Sequence, residues 1–211
     1  MENPRSARPY VGMLGNSAWK PTCPKWVMYT RSKDKVLLVP LGDVDLNLLM
    51  RLASEVEETL PFVRCTVSSF QLELPKDAYN PHRRQYNSDI IMKLYRGRFR
   101  NRTLMVTEVD LYSPGLNFIF GQAEYPGLLA LISLARLNPS FYGKPYDKVL
   151  FIDRAVKEAV HEICHTYGLS HCSNPICVMH FSNSIIDTDL KSKVPCRICL
   201  AKLEKILEIM S

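Results

Sequence analysis

His161 and His165 stand four residues apart in the stretch HEICHTYGLSH (161–171). On a helix, that spacing puts both imidazoles on one face. Two ligands of a tetrahedral zinc need this geometry, at about 2.0–2.1 Å per nitrogen. Glu162 sits beside the first histidine and reaches the same cleft. There it can accept a proton from a zinc-bound water, whose pKa the metal lowers to about 7. Gly168 comes three residues after His165. Glycine tolerates the left-handed conformation that ends a helix, so the chain can turn and bring His171 back as a third ligand. Three protein ligands leave one position open, the mark of a catalytic zinc rather than a structural one. Three of the five histidines in the chain fall inside this stretch, which weighs against a helix of unrelated core histidines.

A second cluster follows without a gap. Of seven cysteines, four lie between positions 172 and 199: Cys172, Cys177, Cys196 and Cys199. The spacings, C-x4-C and C-x2-C, suit a closed four-thiolate zinc site with no position left for chemistry. Reduced core cysteines, a disulfide pair and an iron–sulfur ligand set are the competing readings. An odd cysteine count and no apolar secretory segment favour metal over disulfides. His171 and Cys172 share a peptide bond, so a closed zinc would hold the loop that presents the third histidine. Met179, two residues past Cys177, is expected in a tight turn under the imidazoles. His180 beside it is expected to face solvent or substrate rather than metal. Cys23, early in the chain, is a conceivable thiolate plug but reads better as incidental.

These residues need a scaffold. Val149, Ile152, Val156, Val160 and Ile163 recur at helical spacing, so the metal motif ends a long helix over 148–167. Upstream, VLLVP (36–40) reads as a buried strand. Asp43 or Asp45 can cap a helix running to about Leu60, with Leu46, Leu49, Leu52, Ala53 and Val56 on one face. Residues 62–70 are strand-like, and 75–84 are a polar loop. A helix over 87–96 carries Ile90, Ile91 and Leu94. Strands are expected over 104–109 and 116–123, with a turn at 110–115. Residues 128–137 are strand or helix, and a last helix covers 197–209. The order β-α-β-α-β-β(-β)-α implies an α/β or α+β body with a mixed sheet. Residues 1–34, with four prolines and no period, read as a basic, poorly ordered leader ahead of a single domain over 35–211.

HExxHxxGxxH with a downstream Met-turn resembles the metzincin metalloproteases. HC-x4-C-x-M, the distal CRIC, and the runs CVMHFSNSIIDTDLKSKVPCRIC and DLYSPGLNFIFGQAE resemble the archaemetzincins more narrowly, over residues 35–210. The resemblance implies a compact metzincin-like domain with a mixed, twisted sheet. It implies a catalytic zinc on His161, His165 and His171 with Glu162 as general base. It also implies a structural zinc on Cys172, Cys177, Cys196 and Cys199, with Met179 in the Met-turn. The strand over 116–123 would be the cleft edge along which an extended peptide pairs. Position 164 is Cys where that family more often has Gly; Cys164 reads as small core filling, with crowding of the metal or competition for it as the alternative. Phe181 stands where some metzincins carry a metal-reaching Tyr, and a phenyl ring cannot ligate.

Composition narrows the function classes. The chain is 46% apolar and 23% charged, an ordinary globular balance. No run approaches the roughly 18 apolar residues of a membrane span. Of the 27 Lys/Arg and 21 Asp/Glu, seven and two respectively fall in residues 1–35, so the body is nearly neutral. That argues against a nucleic-acid partner; the lack of an apolar secretory segment leads to the expectation of a cytoplasmic protein, and the small size to short peptides or chain termini as substrates. A zinc-stabilised module that holds peptides without cutting them is the alternative, and Glu162 weighs against it.

Overall fold

The computed structural model describes residues 33–209. The apolar run VLLVP lies in β1 (Asp34–Pro40), followed by α1 (Leu46–Thr59) and by β2 (Val63–Val67), which pairs parallel to β1. Asp45 caps α1 by accepting the Asn47 amide at 2.8 Å. Leu49, Leu52, Ala53 and Val56 are buried as their spacing requires. Leu46 is 54% exposed, because the first residue of a helix has no preceding turn to pack beside. Next come β3 (Tyr79–Asn80), β4 (Gln85–Asn87), α2 (Ser88–Tyr95), β5 (Arg102–Thr107), β6 (Leu111–Tyr112), β7 (Gly121–Ala123) and β8 (Leu129–Ser133). The chain then runs through α3 (Lys148–Thr166), α4 (Ile185–Leu190) and α5 (Arg197–Ile209).

Five strands form the main sheet in the order β2-β1-β5-β8-β7. Only β7, at the edge, runs antiparallel to its neighbour. Every residue of β5 is buried, as expected of a parallel strand covered on both faces. Leu104 and Val106 pack with the buried residues of α1 and α3, whereas Met105 packs with Ile91 and Met92 of α2. The expected mixed α/β architecture is therefore present, with the long helix α3 across one face. The strands β3, β4 and β6 form a separate small sheet.

Local differences have local causes. The pattern over 116–123 predicts one strand, but only Gly121–Ala123 pairs with β8, and Ile119 makes a single bridge to Leu111. Residues 128–137 divide into β8 and a 3₁₀ turn at Ala135–Leu137. Val149 is 82% exposed, because the buried face of α3 begins one turn in, at Phe151 and Ile152. The loop over 75–84 contains a 3₁₀ turn and β3. The short helix α4 is not anticipated by the sequence pattern, although Ser184 and Asp187 form a capping box at its start. Of the stretch read as a leader, residues 1–32 lie outside the described residues, and Asp34 already belongs to β1. Among the described residues, no helix is long and apolar enough to cross a membrane.

Candidate metal centre and its cleft

Asp147 starts α3 by accepting the amides of Val149 and Leu150. At the other end, Gly168 adopts φ +89°. Its amide bonds the His165 carbonyl at 2.8 Å, and the Leu169 amide bonds the Cys164 carbonyl at 3.1 Å. This paired closure is a Schellman motif. It reverses the chain within one turn, so that Ser170 and His171 come back over the helix face that carries His161 and His165.

The tautomers of two histidines are set by the backbone. His161 Nδ1 lies 2.7 Å from the Val178 carbonyl, and His165 Nδ1 lies 2.7 Å from the Leu169 carbonyl. A carbonyl only accepts, so both Nδ1 atoms carry the proton and both Nε2 atoms present lone pairs. Burial, with the Lys191 charge second, holds the His161 imidazole well below its ordinary pKa, and burial with His171 brings His165 down to about 4. Burial lowers His171 as well. The rings are therefore neutral at pH 7. Yet His165 Nε2 lies 3.0 Å from His161 Nε2 and 3.2 Å from His171 Nε2. Lone pairs of His161 and His165 facing each other at this distance suit a cation held between them. A tetrahedral zinc would space its nitrogens about 3.4 Å apart, close to what is seen.

Glu162 is buried in the same cleft. Burial, then the neighbouring Glu158, push its carboxyl well above the ordinary range, with Lys191 opposing. The cleft encloses about 470 Å³ and is lined by Phe118, Phe120, Gly121, Tyr125 and Phe181 around the three histidines and Glu162. Tyr125 meets His165 edge-on at 5.9 Å, and Phe181 meets His171 at 5.2 Å. Phe181 thus packs on a ligand and does not supply one.

The four cysteines also converge, with all Sγ atoms within 4.8 Å of one another. Cys172 and Cys196 are 3.8 Å apart, and a tetrahedral Zn–S site would space its sulfurs at about 3.8 Å. All four are free thiols, which sets aside the disulfide reading. Burial alone would raise the Cys196 thiol. The Cys199 amide and the neighbouring thiols outweigh it and bring the pKa down to about 7. Cys164 is fully buried in the main core and joins neither cluster. Met179 is fully buried, and its carbonyl accepts the Cys172 amide at 2.9 Å. His180, expected to face solvent or substrate rather than metal, is half-buried and belongs to neither ligand cluster; its Nδ1 donates to the Cys172 carbonyl at 3.0 Å.

Sequence reasoning missed a buried polar layer behind the site. Lys191 pairs with Glu158 at 2.9 Å and lies 3.5 Å from the His180 carbonyl, and Thr188 also donates to Glu158. Arg154 forks onto Asp189 at 2.6 and 2.7 Å. These contacts bind α4 and the Met179 turn to α3. The only trace in the sequence is the charge pair Asp189 and Lys191, in the turn-rich stretch between the long helix and the last one.

Two imidazoles on one helix, a third from the turn after it and a carboxylate beside them define a metal-dependent hydrolase centre. The profile of peptidase family M54 matches residues 49–205. The chain is 46% identical to the archaemetzincin of Pyrococcus furiosus over 183 residues, covering 83% of this chain and 95% of that one. Against the archaemetzincin of Methanocaldococcus jannaschii it is 47% identical over 170 residues, 81% and 93% of the two chains. The crystal structure of Methanopyrus kandleri archaemetzincin superposes with a TM-score of 0.74 at 37% identity, covering 86% of this chain and 99% of that one. A zinc-dependent peptidase from Methanocorpusculum labreanum gives 0.69 at 29% identity, covering 80% and 99%. The chain belongs to peptidase family M54, the archaemetzincins, a family of zinc-dependent peptidases.

Proposed function

We propose that this chain hydrolyses peptide bonds at the three-histidine centre, as a metzincin-type enzyme. His161, His165 and His171 hold the catalytic zinc, and Glu162 is the general base. The observation that carries this reading is the convergence of the Nε2 atoms of three histidines beside a buried carboxylate in one cleft. Bound zinc supplies Lewis acidity toward the scissile carbonyl and the attacking water. Glu162 takes the water proton and passes it to the leaving nitrogen. Cys172, Cys177, Cys196 and Cys199 hold a second, structural zinc, giving two per chain, and Met179 packs in the turn between the sites. The outer edge of β7 is free to pair with an extended peptide, and the small cleft suits short peptides or chain termini. The near-neutral body favours peptide over nucleic acid, and the free thiols fit the reducing cytoplasm.

The test is metal analysis combined with mass spectrometry of a mixed peptide pool. We expect two zinc ions per chain and discrete cleavages that a chelator abolishes and zinc restores. Two bound zincs with every peptide intact would instead mark a binding module.

A further inference from the structure

Among the described residues, no hydrogen bond or ion pair reaches the Glu162 carboxylate. A base that must meet one water at one angle still needs something to aim it. The candidate is the strand opposite. A Cβ placed on Gly121 would lie 2.6 Å from Glu162 Oε1, 2.7 Å from its Cγ and 2.9 Å from its Cδ. The Glu162 side chain therefore lies flat along the β7 backbone, in space that any other residue would fill. Backbone conformation does not explain this glycine, since Gly121 is not among the residues with positive φ.

We infer that Gly121 is a positioning residue that sets the Glu162 carboxylate, an inference that rests on the reading of Glu162 as the base. Neither wall is free to yield. Gly121 pairs with the buried Ile132, and the Ser133 amide bonds the Phe120 carbonyl at 2.8 Å. On the other side, α3 is buried through Glu162 and both neighbours. Because Cγ is among the contacts, rotating the end of the side chain does not relieve an added methyl group. The whole side chain must leave its rotamer, or β7 and α3 must separate. The three atoms nearest that Cβ all belong to Glu162 and none to the histidines, so the metal site should be spared.

The experiment is Gly121→Ala in the full chain, alone and combined with Glu162→Ala. We expect wild-type zinc content, a KM within about twofold of wild type, and kcat reduced about 10- to 100-fold, the scale of a misplacement near 1 Å. We also expect Gly121→Ala to lower the melting temperature in the Glu162 background but not in the Glu162→Ala background, where nothing remains to clash. A variant too unstable to assay is still read by this thermal comparison. Wild-type kcat, or the same thermal cost in both backgrounds, overturns the assignment. A wild-type chain that cuts no peptide overturns the peptidase reading instead. That failure is told apart because the thermal coupling is measured without substrate.

Discussion

With Glu162 as the proposed base, replacing one of its carboxylate oxygens by an amide nitrogen should separate metal binding from turnover. Glu162→Gln keeps the shape that fits against Gly121 but cannot take a proton. We expect kcat to fall by about 10²–10⁴-fold, with zinc content and circular dichroism unchanged. Cleavage at the wild-type rate would show that another group is the base. Much of this residue-scale chemistry is legible in the sequence, because it is local. The spacing of His161 and His165 follows from the helical repeat, and Gly168 closes the helix within three residues of His165. The determinants that are not legible are distant in sequence. Gly121 reaches Glu162 from 41 positions upstream, and Val178 holds His161 from 17 positions downstream. No periodicity announces such contacts, and only the fold brings them together.

At the scale of elements, the turn from Cys177 to His180 joins the histidine cluster to the thiol cluster. Cys177 belongs to the thiol cluster, and the Val178 carbonyl fixes His161. Met179 and His180 both bond the backbone of Cys172, whose neighbour is His171. The sequence suggests one route between the sites, the peptide bond shared by His171 and Cys172. The structure adds a second, through Val178 to His161. Cys199→Ser should therefore damage the histidine site without touching it. Loss of one thiolate weakens the closed site, where metal binding is also folding energy. The turn then holds two catalytic ligands less firmly. We expect the histidine-site zinc to be stripped at about 10- to 100-fold lower chelator concentration, with turnover falling in parallel. Full activity with normal chelator resistance would make the sites independent. The helices are readable because their apolar faces repeat over several turns. The strand β7 is shorter than its sequence suggests because the chain before it turns to Leu111, where Ile119 makes its bridge, and joins β8 only from the Phe120 carbonyl onward. The helix α4 escapes notice because six residues cannot establish a period.

Across the whole molecule, one cluster ties the start of the sheet to the end of the catalytic helix. Tyr167, just past α3, donates its hydroxyl to Asp34 at 2.6 Å across 133 residues of sequence. Arg102 of β5 is 3% exposed. Its guanidinium lies 3.6 Å from the Tyr167 ring centroid, it donates to the Gly127 carbonyl at 2.7 Å, and it lies 3.4 Å from Asp34. Asp34 falls within the stretch that reads as a leader, because a lone acidic residue among lysines carries no pattern. Its role depends on partners that only the folded sheet supplies. Asp34→Ala leaves the Tyr167 hydroxyl and a buried guanidinium short of an acceptor, though Gly127 and the aromatic ring still hold Arg102. Asp34 is itself 43% exposed, so water replaces part of what is lost. The cost then falls at the lower end for a charged hydrogen bond, about 1–2 kcal/mol. For a domain of this size each kcal/mol shifts the melting temperature by about 2–4 °C, so a fall of a few degrees is expected. A truncated chain starting at Asp34 should melt like the full chain, while one starting at Lys35 should melt no higher than Asp34→Ala, since it also loses the Asp34 amide bond to the Phe62 carbonyl. Equal melting of all four proteins would show that the cluster adds nothing to stability.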